Sequence, residues 1–142
     1  GSGMSSRMFI DLREKQGLAY QLGSGFSPHV LRGSFMLYIG TNPETLEKAK
    51  QGLFDEIKRL KTQKITEDEL SKAKEKLLGN YILSQETNLQ KASLTGGYEA
   101  LNLGYDFGEK YTELINSVTA DDIFTAANKY FNENYILSVV TK

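Results

Sequence analysis

Apolar side chains recur along this chain mostly at intervals of three and four residues, with short stretches of alternation, so the pattern predicts helices with a small extended part. Near the amino terminus Met8, Phe9 and Leu12 share one face of a helix that Ser5 or Ser6 can cap. The helix runs to about Gln16, and Gly17 is placed to stop it. From Leu18 to Phe26 the pattern turns extended, and after Ser27-Pro28-His29 and Arg32-Gly33 a second extended run covers Ser34 to Ile39. The two runs fit antiparallel strands joined by a loop.

Asn42 followed by Pro43 marks a helix start, and Leu46, Ala49, Leu53, Ile57 and Leu60 then form an amphipathic stripe. Thr66 and Glu69 read as a capping box opening a helix to about Glu86, with Leu70, Ala73, Leu77 and Tyr81 as its buried face. Asn88 to Gly104 is helical in pattern, with a bend or interruption expected at Gly96-Gly97. Phe107 to Ile115 adds a short helix, and Thr119 with Asp122 caps another that carries Ile123, Ala126, Ala127 and Tyr130. Beyond Asn132-Glu133-Asn134, the run Tyr135 to Thr141 reads as a closing strand. Because the helices come in a block and do not alternate with strands, the expected fold is α+β, one antiparallel sheet covered by a layer of helices, in a single domain over 1–142.

Composition narrows the chemistry. The chain has 142 residues, 39% hydrophobic and 25% charged, as in an ordinary globular protein. Its formal charge of -1 leaves no field to attract nucleic acid or an anionic membrane, so neither is expected as a partner. There is no cysteine, and the lone histidine, His29, has no second imidazole to join it, so no metal site is expected in this chain. His29 reads as a loop residue beside Pro28. No apolar run approaches the ~18 residues that span a bilayer, and the chain is expected to be soluble and cytoplasmic. Gly1-Ser2-Gly3 fits either an expression scar or a glycine turn.

The segment Gly3-Met4-Ser5-Ser6-Arg7-Met8-Phe9-Ile10-Asp11-Leu12-Arg13-Glu14-Lys15-Gln16-Gly17-Leu18-Ala19-Tyr20 resembles the signature of the carboxy-terminal domain of the pitrilysin, or insulinase, family of zinc peptidases. There a glycine turn and an arginine open a helix ending in Leu-Arg-Glu-Lys, and Gly-Leu-Ala-Tyr enters a strand. Later stretches agree more loosely, among them Thr41-Asn42-Pro43-Glu44 and the run Thr66-Glu67-Asp68-Glu69-Leu70. The family's zinc-binding half carries an inverted His-x-x-Glu-His motif, which this chain lacks. A full family domain has further strands and a helix ahead of this point, so the resemblance implies an amino-terminally truncated, zinc-free domain.

The resemblance further implies that Arg13 and Tyr20 reach across to the substrate of a zinc site held on another domain or subunit. A phenol donor at the developing oxyanion and a rigid guanidinium holding peptide carbonyls suit those residue types. Spacing alone favours a structural reading, with Arg13 at its own helix terminus and Tyr20 a half-buried strand aromatic, and it is the resemblance that turns the reading toward substrate. The implied function is the substrate-binding half of a zinc endopeptidase, with zinc on the partner, a peptide as substrate, and self-association of this piece through an open sheet edge. A non-catalytic scaffold or partner subunit is the alternative. The apolar run Phe35 to Ile39 is expected in the core, with pairing to an extended peptide as its other use, and Tyr81, Tyr98, Tyr105, Tyr111, Tyr130 and Tyr135 read as core and interface aromatics.

Overall fold

The structure, a computed structural model, describes residues 1 and 3–141. Of Gly1-Ser2-Gly3, Ser2 lies outside the described residues. The fold gathers into two compact units, one of residues 1–27, 33–63 and those from 126 onward, the other of 28–32 and 64–125.

In the first unit the amino-terminal helix forms because Ser6 caps it, its Oγ accepting from the Phe9 N–H at 3.3 Å. The helix then widens into a π-helical segment, Phe9–Glu14, in which the Lys15 N–H reaches back five residues to the Ile10 carbonyl at 3.0 Å. Gly17 ends it in the left-handed region at φ +62, where any side chain would be strained. Its N–H donates to the Arg13 carbonyl at 3.1 Å, and the Leu18 N–H to the Leu12 carbonyl at 2.8 Å. Both bonds span one residue more than in the usual glycine-capped ending, as a π turn requires.

The reversed chain enters β1, Gln21–Ser27, which pairs antiparallel with β2, Ser34–Gly40, from Gln21↔Gly40 to Ser27↔Ser34. The Tyr20 N–H extends this ladder by donating to the Gly40 carbonyl at 3.1 Å. A 3₁₀ turn, Pro43–Thr45, leads into α1, Leu46–Thr62. The predicted stripe of α1 is its inner face, although Asn42 provides its carbonyl rather than its side chain as the cap.

The core of this unit is small. Met8, Leu12, Leu18, Ala19, Ala49 and Ala127 are buried, with Leu12 only 1% exposed. Leu12 lies against Gly52 of α1 so closely that a Cβ built there would meet Leu12 Cδ2 at 2.5 Å. Beside this contact Arg59 of α1 donates from Nη1 to Asp11 Oδ2 at 2.8 Å, while Lys15 Nζ sits 2.6 Å from Asp11 Oδ1. Glu56 joins the cluster, its Oε1 3.6 Å from Arg59 Nη1 and its Oε2 buried without a hydrogen bond.

The second unit contains α2, Glu67–Leu83, α3, Asn88–Ala100, α4, Phe107–Ser117, and the first turns of α5, Ala120–Tyr130. Reciprocal capping boxes open three of them: Thr66 with Glu69, Thr87 with Gln90, and Thr119 with Asp122. α4 packs on α2 through the Tyr81 and Tyr111 rings, whose centroids are 4.2 Å apart, and on α3 through Tyr98 and Phe107 at 5.1 Å. α3 continues through Gly96-Gly97 without the expected interruption, since flanking helical residues supply the hydrogen bonds.

Four expectations are corrected. The closing strand over 135–141 does not join the ladder, and the sheet has two strands among the described residues, so Ile136 and Val140 remain almost wholly exposed. In β2, Phe35, Met36 and Tyr38 are exposed instead of buried: they alternate onto both faces of a two-stranded sheet, and among the described residues only Phe35 of the three gains a ring partner, Phe131 at 5.2 Å. On α2 only Leu70 of the expected stripe is buried; Ala73 and Leu77 are exposed and Tyr81 half-buried. Tyr105, Tyr130 and Tyr135 are likewise exposed rather than core aromatics, while Tyr81, Tyr98 and Tyr111 are half-buried. The α+β class with an antiparallel sheet holds.

Two stability measurements follow. Gly52→Ala, which in an open helix would gain stability, is expected to lower the urea midpoint by an amount equivalent to about 1–3 kcal/mol, since buried Leu12 must move. Burial chiefly, and the Asp11 charge beyond it, raise the Glu56 pKa above 4.5, whereas Lys15 first and then Arg59 hold Asp11 below 3.8. Stability from Asp11 is therefore present above pH 3.8 and lost as acid protonates it, while Glu56 removes stability as pH rises from 4.5 through its raised folded value. Thermal midpoints of Glu56→Gln measured across this range should lack the decline on the alkaline side and keep the acid loss.

Candidate functional site

Arg13 and Tyr20 both lie in the first unit, on either side of the Gly17 reversal. Arg13 is in the last turn of the π-helical segment, exposed, with its guanidinium carbon 4.8 Å from the centroid of the Phe9 ring. Stacking of this kind contributes about 0.5–1 kcal/mol at an exposed site and restrains the guanidinium plane while leaving its N–H edges open to a ligand. Tyr20 is 88% exposed, although the two residues before it, Leu18 and Ala19, are buried. Its backbone is fixed by the bond to Gly40, and its hydroxyl makes no hydrogen bond among the described residues.

The alternative of a half-buried strand aromatic is thus overturned for Tyr20: it precedes β1 and projects into solvent. No hydrogen bond or ring stack joins Tyr20 to Arg13 among the described residues. They share a rigidly reversed segment, each with donors unspent on the chain itself. His29 is exposed in the β1–β2 loop, and among the described residues no group of three His, Cys, Asp or Glu side chains could hold a metal ion.

The second unit holds an open cleft of about 460 Å³, lined by residues that include Tyr81, Tyr98, Tyr105, Lys91, Leu94 and Glu109. Burial first, and interaction with the Tyr81 hydroxyl second, push the Tyr98 phenol up to about 12, so it stays neutral near pH 7. Tyr81 in turn donates to the Gly108 carbonyl at 2.9 Å. The Tyr81 bond spends its donor within the unit and ties α2 to α4. This pair of phenols offers no group poised for proton transfer near neutral pH.

The sequence reading missed Asp11, Glu56 and Arg59, the charged cluster under the Arg13 segment. Arg59 and Asp11 are 48 positions apart, and no local spacing announces their pairing. Among the described residues no helix is long and apolar enough to cross a membrane.

Comparison with known proteins supplies the family. Residues 1–77 match the family model of the peptidase M16 inactive domain. A protein of Rickettsia felis named uncharacterized zinc protease is 39% identical over 93% of this chain, and one of that name from Bacillus subtilis is 31% identical over 99%. The crystal structure of a peptidase M16 inactive domain from Pseudomonas fluorescens superposes with a TM-score of 0.79 at 31% identity, covering 93% of this chain and 31% of that one. The chain spans about a third of the length of its relatives, 32% of the Rickettsia protein and 34% of the Bacillus one. It belongs to the peptidase M16 family of zinc proteases, as that family's inactive domain.

Proposed function

We propose that this domain is the substrate-binding half of a zinc-dependent endopeptidase, supplying Arg13 and Tyr20 to a zinc centre carried by another domain or subunit. The observation that carries this reading is the pair of outward-facing donors on the Gly17 reversal, where Tyr20 is 88% exposed between buried residues and a paired strand. An aromatic so exposed and so firmly anchored gains nothing from the core, and a phenol in that position suits a ligand.

In this reading the peptide lies between the two halves. Arg13 donates to its backbone carbonyls and sets the register, and the Tyr20 hydroxyl donates to the scissile carbonyl oxygen as negative charge develops there. Zinc, when bound on the partner, supplies the activated water and polarises the carbonyl. The exposed apolar residues of β2 and of 135–140 support a partner surface on this domain, and they also favour self-association of the isolated chain.

Alone, the chain is expected to cleave no peptide. Mixed with a zinc-bearing M16 half it should restore cleavage, with Tyr20→Phe lowering kcat about 10²–10³-fold and Arg13→Ala raising KM more than it lowers kcat. Wild-type rates in both variants would rule out the assignment even with the family secure. Light scattering of the isolated chain should show association that grows with concentration, and a strict monomer would count against the exposed apolar face as an interface.

A further inference from the structure

Successive residues of a helical segment point at a fixed angle to one another, so fixing two neighbours fixes the direction of the third. Leu12 is seated against Gly52, and Asp11 is held by Arg59 at 2.8 Å, both on α1. Arg13 follows immediately on the free side. Leu12, with buried Met8 one turn earlier, gives the segment its apolar footing, and the off-axis Asp11–Arg59 bond adds a directional restraint on its rotation. The Asp11 and Glu56 side chains are 18% and 12% exposed and Arg59 40%, so this pair is screened less than a surface one.

Resting on the proposed role of Arg13, we infer that Arg59, acting through Asp11, is a positioning residue that sets the rotation of Phe9–Glu14 and thereby aims Arg13 at the substrate. The charged groups facing this bond are Lys15 on the segment itself, Arg7 one turn earlier, and Glu56 beside Arg59 on α1. Lys15 holds the other Asp11 oxygen, but as it lies on the same segment it cannot tie that segment to α1. Glu56 competes for the same Arg59 nitrogen from 3.6 Å and keeps the guanidinium over the segment without contacting Arg13. Arg59 is thus a charged tether between α1 and the Arg13 segment, and the long sequence separation makes it a tertiary rather than a local restraint.

The test uses Arg59→Met, which retains the alkyl stem, and Arg59→Lys, which restores a charge without the fork. In the isolated chain, amide exchange at Lys15, Gly17 and Leu18 should quicken about ten-fold in Arg59→Met relative to wild type, with α1 amides little changed and Arg59→Lys intermediate. Assembled with a zinc-bearing M16 half, Arg59→Met should raise KM in the manner of Arg13→Ala, and the double variant should be no worse than Arg13→Ala alone. Unchanged exchange in the segment overturns the inference. So does quickened exchange with a wild-type KM where Arg13→Ala raises it. An Arg13→Ala variant with wild-type KM would instead sink the functional reading, and the tether then stands or falls on the exchange data. Exchange quickening equally throughout α1 would mean that Arg59 serves general stability and would overturn its positioning role.

Discussion

The Leu12–Gly52 contact, with the Asp11–Arg59 bond beside it, is the constraint on which the first unit depends. The two join the π-helical segment to α1 across 40 and 48 positions of chain. The unit has little other apolar core: its buried residues are mostly small or lie in the amino-terminal twenty positions. Everything that the candidate site requires is downstream of this docking. The π turn lets Leu12 face inward while Arg13 faces out, the Gly17 reversal sends the chain back alongside, and the Gly40 bond holds Tyr20 at the mouth of the hairpin.

The electrostatics of the cluster are mixed in sign. Asp11 carries two cationic partners and gains from being ionised, whereas Glu56 is half-buried, with one buried oxygen lacking any hydrogen bond. A buried carboxyl of this kind costs stability when charged, and an apolar isostere would cost less. The second unit follows a different rule, with interlocking aromatic rings and reciprocal caps that consume their own donors.

Much of the fold was legible because helix starts are local chemistry. Thr66 with Glu69 and Thr119 with Asp122 form the boxes that their spacing announced, and Met8 and Leu12 are buried as their periodicity required. The π widening was not legible, since its hydrogen bonds differ from α-helical ones by a single residue and leave the apolar spacing intact. Nor was the exposure of Phe35, Met36, Leu77 and Ile136, because apolar patterning identifies a face to be covered without saying whether the same chain covers it. For the site, the motif around Arg13 and Tyr20 named the residues, and the structure added their exposure and the Arg59 tether, which depends on tertiary pairing alone.

Family membership and fold are those of a peptidase M16 inactive domain; the proposed function turns on the aim of the Tyr20 hydroxyl. A photoreactive phenylalanine analogue at position 20, irradiated in the assembled enzyme with an inactive zinc half and a bound peptide, reads that aim directly. The account predicts crosslinking to the peptide at or next to the scissile bond. Crosslinking confined to the partner domain, or to peptide residues remote from that bond, would contradict it.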